Sequence, residues 1–372
     1  MSGLYIHIPF CKSRCIYCGF YSTTHGELKQ RYVDAACKEM RNVKQTEIGT
    51  IYIGGGTPSQ LTEEQLLQLF NCIEQHFTIK QDSATPAEIT MECNPDDITE
   101  EYAKTIAKLP VNRVSMGVQT FSNERLRFLN RRHTAEQIPV AVERLRKAGI
   151  KNISIDLMYG FPNETLEEWK DDITQAINLG VEHLSAYSLM YEEDTPLLKL
   201  LEQNKISEID EELSLRMFDV LIERLKVAGY EHYEISNFAK NNYRSRHNSN
   251  YWNQTPYIGI GAAAHSYDGQ RCRQWNIDNV KQYIEGMEKG RQISEKELLD
   301  DDTLYNEKVM TALRTCEGLD MNKLSAKHAN YCLQQAKSFI ADGLLMKKDN
   351  HLILTRRGLF VCNMVMSELM IV

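Results

Sequence analysis

Cys11, Cys15 and Cys18 crowd into one short segment, Tyr5-Ile-His-Ile-Pro-Phe-Cys11-Lys-Ser-Arg-Cys15-Ile-Tyr-Cys18-Gly-Phe20. The pattern is C-x3-C-x2-C, and thiolates are soft ligands suited to iron–sulfur clusters. Three ligands on a 4Fe-4S cube leave one iron without a protein ligand. That iron is open to the amino and carboxylate groups of S-adenosylmethionine (SAM). One electron from the reduced cluster would then break the sulfonium bond and release a deoxyadenosyl radical. The cofactors supply that chemistry, while the protein orients and shields them. A structural zinc wants four ligands, usually in paired motifs. His7 or His25 could supply a fourth, but no second pair exists, so a zinc-stabilised scaffold is the remote alternative. Inert buried thiols fit poorly in a loop that holds Lys12, Ser13 and Arg14.

Other residue types add weaker signals. Gly54-Gly55-Gly56-Thr57-Pro58 follows an apolar run, and such glycines let backbone approach a ligand closely; alone, the run is an ordinary turn. Glu92, Gln119 and Asp156 each end a β-type run, and ligands bind at the C-terminal ends of barrel strands. One such residue is more often a cap, but three in successive units point to a binding site. Arg246-His247-Asn-Ser-Asn-Tyr251-Trp252 places a histidine before two aromatics in a stretch without periodicity. A lone histidine is usually structural. Histidine is also a common axial haem ligand, and aromatics pack on porphyrin faces.

These residues need a scaffold, and the periodicity supplies one. Apolar runs at Leu4–Ile8, Thr50–Ile53, Glu88–Met91, Arg113–Met116, Asn152–Ile155 and His183–Tyr187 read as strands. Helical stretches lie between them. Thr62-x-x-Gln65, Thr134-x-x-Gln137 and Thr165-x-x-Glu168 read as capping boxes that open helices. Gly149, Gly180 and Gly229 mark helix ends, the last after a helix over 211–228. Strand–helix alternation means parallel strands with crossover helices, here about six units before residue 230. The fold class is therefore α/β, an open barrel over residues 1–235. Residues 236–295 read as a connecting segment. Residues 296–372 turn helical, with a β-like pair, Leu344–Met346 and Leu352–Leu354, separated by 347–350, which suggests a winged-helix-like unit.

The chain has 372 residues and a net charge of −8, which argues against nucleic-acid binding. No apolar run reaches the ~18–20 residues of a membrane span. The first motif starts within a dozen residues, so no leader is expected and a cytoplasmic location follows, with room for peripheral membrane contact. The seven other cysteines (Cys37, Cys72, Cys93, Cys272, Cys316, Cys332 and Cys362) have no framework spacing and read as small buried hydrophobes.

Taken together, these segments resemble the radical SAM superfamily, and Tyr5-x-His-Ile-Pro-Phe-Cys11 is similar to its HemN/HemW branch over nearly the whole chain. That branch holds oxygen-independent coproporphyrinogen III oxidases and haem chaperones. The resemblance implies a partial (β/α)6 radical SAM barrel with a small helical, winged-helix-like C-terminal domain. It implies a 4Fe-4S cluster on Cys11, Cys15 and Cys18, and SAM held by Gly55, Gly56, Thr57 and Glu92. Gln119, Arg131 and Asp156 match positions that contact a second SAM in the oxidase. Tyr5 and Tyr17 would pack near the cluster, although Tyr5 could equally be an ordinary strand aromatic. His247, Tyr251 and Trp252 form a string, H-N-x-x-Y-W, that is similar to the haem-chaperone signature and implies haem as cargo. Phe20 stands where the oxidase carries a fourth cysteine, and the chain starts almost at the first strand, without the oxidase's N-terminal extension. The implied function is a haem chaperone that delivers to an acceptor or respiratory membrane protein, ahead of radical decarboxylation of propionates. No catalytic residue is assigned, and enzymatic turnover is left open.

Overall fold

The structure is a computed structural model that describes residues 1–80, 82 and 85–371. Its first strands are β1 (Ser2–Ile8) and β2 (Glu47–Gly55), with the two-residue β3 (Thr78–Ile79) beside β2. Then follow β4 (Glu88–Cys93), β5 (Arg113–Gln119), β6 (Asn152–Tyr159) and β7 (His183–Ser188). The crossover helices are α1 (Lys29–Asn42), α2 (Glu63–His76), α3 (Glu100–Lys108), α4 (Asn123–Phe128), α5 (Gln137–Lys147) and α6 (Leu166–Asn178). After β7 come α7 (Pro196–Glu202) and α8 (Glu211–Val227). Strands β1, β2, β4, β5, β6 and β7 lie in that order, each parallel to its neighbour. The sheet does not close: the outer edges of β1 and β7 pair with other strands. The six expected units are present as an open barrel.

Alternation along each strand decides what goes where. Ile6, Ile8, Ile51, Ile53, Ile89, Met91, Val114, Met116, Ile153, Ile155 and Leu184 pack outward in the main apolar core. The alternate residues, including Tyr52, Glu92, Arg113, Ser115, Asp156 and Ser185, line the barrel interior. Helix starts obey local rules as well. The boxes at Thr62/Gln65 and Thr165/Glu168 are both formed. The box expected at Thr134 is half made: the Thr134 N–H donates to Gln137 Oε1 at 2.9 Å, but α5 begins only at Gln137, with Glu136 as its N-cap. Gly149, Gly180 and Gly229 all take the left-handed conformation at helix ends.

Residues 236–295 differ from a plain connector. β8 (Glu231–Glu234) and β9 (Asn237–Ala239) extend the β7 edge in antiparallel fashion. α9 (Arg246–Trp252) follows, and then β10 (Tyr257–Ile260) pairs parallel with β1. β11 (His265–Tyr267), β12 (Cys272–Asn276), α10 (Val280–Lys289) and β13 (Ser294–Leu298) continue that edge. These strands are three to five residues long and partly exposed, too short to show a period.

α11 (Asp301–Ala312), β14 (Leu319–Asp320), α12 (Ala326–Ala341), β15 (Leu345–Lys348), β16 (His351–Leu354), α13 (Arg356–Leu359) and α14 (Cys362–Leu369) build a separate core around Tyr305, Val309, Cys332, Leu352 and Val365. Its three strands run β14-β16-β15, all antiparallel, as in a winged helix. The hairpin turn is only Asp349-Asn350, both at positive φ, so Lys347 and Lys348 belong to the strand. Arg356 ties this unit to the barrel through Asp219 on α8 at 2.6 Å. Of the scattered cysteines, Cys37, Cys72, Cys93, Cys332 and Cys362 are buried as expected, whereas Cys272 is half-buried and Cys316 exposed. Both lie in short or loop segments at the sheet margin.

Glu39 of α1 is the buried tie between the barrel and the added edge. Its carboxylate accepts from Tyr283 Oη at 2.6 Å, Asn276 Nδ2 at 2.6 Å and the Gly261 N–H at 2.8 Å. Removing it orphans three buried donors, each costing about 1–3 kcal/mol. Glu39→Ala is expected to lower the unfolding free energy by at least about 3 kcal/mol in urea titration. A loss below about 1 kcal/mol would show that the edge holds without it.

Candidate cluster and ligand cavity

β1 delivers the chain to the mouth of the barrel, where the cysteine loop turns back on itself. The Cys11 N–H donates to Thr23 O at 2.9 Å, and the Thr23 N–H donates to Pro9 O at 2.7 Å. Distant elements pin the loop: the Ile16 N–H reaches Leu129 O at 3.2 Å, and Asn130 Nδ2 reaches Arg14 O at 2.7 Å. Cys11, Cys15 and Cys18 are free thiols on a cavity of about 640 Å³. Thr57 Oγ1 donates to Cys11 Sγ at 3.6 Å, and Arg131 Nη1 to Cys15 Sγ at 3.5 Å. Burial raises the Cys11 and Cys18 thiols, so a bound metal must displace their protons. Among the described residues no three His, Cys, Asp or Glu side chains converge on a single-ion site. Three soft thiols on one cavity wall, two of them receiving hydrogen bonds at sulfur, fit a thiolate-held iron–sulfur cube.

The Gly54-Gly55-Gly56 run has a steric reason. A Cβ on Gly56 would sit 2.7 Å from Ile8 O, beside the start of the cysteine loop. On Gly54 it would meet Tyr52 Cε1 at 2.6 Å and the Glu92 carboxyl at 2.8 Å. Gly55 has φ +105°, and its N–H donates to Glu92 Oε2 at 3.0 Å. Tyr52 Oη donates to the other Glu92 oxygen at 2.7 Å. Burial raises Glu92 to about 7, with nearby Asp156 adding to it against the bonds from Tyr52 and Gly55. Asp156 is likewise pushed up by burial. Burial works against the charge on Arg131, but Tyr17 and Cys15 beside it hold the guanidinium charged. Arg131 also donates to Asn94 Oδ1 at 2.8 Å and to Gly117 O. Gln119 sits at φ +67° on a register shift between β5 and β6.

Cys11, Cys15, Tyr17, Cys18, Gly55, Gly56, Thr57, Glu92, Gln119, Arg131 and Asp156 thus line one cavity. Tyr5 does not. It stands one layer deeper, its hydroxyl 2.9 Å from His7 Nδ1 and its ring 6.2 Å from that of Tyr52. Arg113, Ser115, Ser185, Tyr187 and Met190, which no motif marks, line the same cavity. The two-residue step Arg113, Ser115, Gly117, Gln119 was the signal that could have found the first two.

The structure sets His247, expected as a haem ligand, apart from the cysteine cavity. His247 is 1% exposed. Its Nδ1 lies 2.9 Å from Thr50 Oγ1 and its Nε2 3.0 Å from Tyr251 Oη, so both nitrogens are engaged. Helix α9 lies across the N-terminal ends of the strands, away from the cysteines. Glu88, at the start of β4, accepts the N–H groups of Arg246 at 3.0 Å and His247 at 2.9 Å. The His247 ring fills the space beside Gly3 at the start of β1. Tyr251 and Trp252 do not reach the cavity either, and only Asn248 of this helix lines it. His247 is a latch in the barrel floor.

A family model described as the radical SAM superfamily matches residues 5–176, and one described as the HemN C-terminal domain matches residues 299–361. A Bacillus subtilis protein named heme chaperone HemW is 34% identical, with 98% of each chain covered. The Escherichia coli protein of the same name is 34% identical over 76% of each chain. Among solved structures, Escherichia coli coproporphyrinogen III oxidase (HemN), a radical SAM enzyme, superposes with a TM-score of 0.84 at 24% identity, covering 99% of this chain and 89% of that one. That likeness speaks for the fold.

Burial, and then the nearby Arg113, lowers His247 to about 3. Below its unfolded value of about 6.5 the unfolded chain binds a proton that the folded chain refuses. Stability from this group is therefore lost as pH falls from about 6.5 toward 3. Against His247→Gln, which lacks the titration, wild-type stability should fall by about 1.4 kcal/mol per pH unit between pH 6 and 4. Parallel urea midpoints across that range would show the ring to be open to protons when folded.

Proposed function

As the chain belongs to the radical SAM family of proteins named heme chaperone HemW, we propose that it carries haem beside a 4Fe-4S cluster and hands it to an acceptor protein. The observation that carries this reading is an apolar rim on the cluster cavity. Phe20 is 72% exposed, Met190 61% and Tyr187 40%, and all three line that cavity. Large apolar side chains left this exposed around a polar cavity suit a ligand with a flat apolar body. A macrocycle resting on Phe20 and Met190 would gain about 25 cal/mol per Å² of apolar surface covered.

Cys11, Cys15 and Cys18 would hold the cluster, and Gly55, Gly56, Thr57 and Glu92 the SAM beside it. When bound, the two supply one-electron chemistry. The chain's own groups do the rest. Thr57 and Arg131 steady the sulfurs by hydrogen bonds. Glu92, near 7, can hold or release a proton at its carboxylate around neutral pH. Gln119, Arg131 and Asp156 share the cavity wall and would contact a second adenosyl ligand. These same residues favour the second reading, oxidative decarboxylation of a tetrapyrrole propionate. No described helix is long and apolar enough to cross a membrane, so an acceptor in a membrane would be met at its surface.

The test is anaerobic reconstitution and haem titration followed at the Soret band. The wild-type protein should bind haem stoichiometrically, and Phe20→Asp with Met190→Asp should weaken binding by at least about tenfold, or 1.4 kcal/mol. His247→Ala should keep the wild-type affinity, because its ring is committed to Thr50 and Tyr251. A cluster-loaded wild-type protein that binds no haem, yet converts coproporphyrinogen III, would replace the carrier with the oxidase.

A further inference from the structure

Arg113 is a barrel cation without a hydrogen-bond or ion-pair partner among the described residues. It begins β5, is 1% exposed and lines the cavity. Its Nε and Nη1 are fully buried without a hydrogen-bond partner, and among the described residues it enters no ion pair. Buried guanidinium groups are almost always paired, because an unmet charged donor away from water is costly. The neighbouring cavity arginine, Arg131, is less deeply buried and already occupied by Cys15, Asn94 and Gly117.

The groups facing Arg113 are of two kinds. On the floor side are His183, His247 and Tyr233, all uncharged near neutral pH because burial shifts them away from their charged forms. On the cavity side are Glu92 and Asp156, which feel the guanidinium but do not pair with it. Glu92 is held by Tyr52 and Gly55, and Asp156 turns toward Ser115, whose Oγ donates to it at 3.5 Å. The polar lobe between them is completed by Ser185 and by Asn248 of α9.

We infer that Arg113 is a carboxylate-binding residue at the base of the cluster cavity, its planar fork receiving the two oxygens of a ligand carboxylate. A guanidinium matches that geometry bidentately, which an ammonium cannot. Two ligands of the proposed function carry such a group: a haem propionate and the amino-acid end of a second SAM, whose carboxylate is not taken by the open iron of the cluster. The propionate assignment rests on the haem-carrier reading, whereas the SAM assignment does not.

The experiment uses the full-length, cluster-loaded protein with three probes: haem, haem dimethyl ester and SAM. Arg113→Gln is expected to weaken one carboxylate-bearing probe by at least about tenfold. If the propionate is the partner, haem is weakened, the ester binds equally to variant and wild type, and SAM is unchanged. If the SAM carboxylate is the partner, SAM is weakened and haem is not. Iron and sulfide content, unchanged from wild type, shows that the variant has folded. Should Arg113→Gln fail to fold, Arg113→Lys keeps the charge and loses the fork, and a loss of about threefold or more on the same probe is expected. Haem and SAM affinities both within twofold of wild type, in a cluster-loaded Gln or Lys variant, overturn the assignment. A wild-type protein that binds no haem defeats the carrier reading, while a SAM loss in Arg113→Gln would still uphold the site.

Discussion

A parallel strand covered on both faces has to bury something on each, and this barrel divides the two by kind. Outward residues such as Ile51, Ile53, Val114 and Ile155 meet the helices, and apolar burial supplies the stability. Inward residues are polar, so each needs a partner away from bulk water. Most have one: Glu92 between Tyr52 and Gly55, His183 between Ser154 and Tyr233, His247 between Thr50 and Tyr251. The interior is therefore a network with few free valences, and the free ones at Arg113 face the cavity. The sheet stays open because the outer edges of β1 and β7 are taken by β10 and β9 and do not pair with each other.

Close backbone approach joins that interior to the cysteine loop. The Gly56 N–H donates to Ile8 O at 2.9 Å, so the end of β2 lies against the residues that lead into Cys11. Gly54 leaves room for Glu92, as Gly117 leaves room for Arg131 and Gln119. In each case a missing side chain allows a functional one to reach the cavity. The cysteine loop is further held by residues far along the chain, at Leu129 and Leu197. Three thiols close in sequence are thus oriented by elements that are not.

The two ends of the barrel do different work. The strand C-termini carry the cysteines, the glycine run and the apolar rim. The N-termini are stoppered by α9, whose first N–H groups are capped by Glu88. His247, Tyr251 and Trp252 look like a ligand set because a histidine beside aromatics is what a haem pocket shows. The same composition also makes a good plug, with both His247 nitrogens paired internally, its ring tilted over Tyr52 and Tyr251 edge-on to Tyr257. Asn248 alone faces the cavity, so floor and mouth border one continuous space.

What the sequence determined by itself was local. The six strand runs, the capping boxes at Thr62 and Thr165, the left-handed glycines after helices and the C-x3-C-x2-C spacing all follow from interactions within a few residues, which spacing and residue type reveal directly. The short strands from Tyr257 to Leu298 were not legible, because their hydrogen bonds are made to distant partners and their length hides any period. Nor was the fate of His247, whose contact with Thr50 spans 197 residues of chain. Tertiary structure alone decided which strand residues face inward, which buried polar groups find partners, and which, like Arg113, are left for a ligand. Pairing between distant elements is what satisfies or orphans a buried group, and no local rule contains that information.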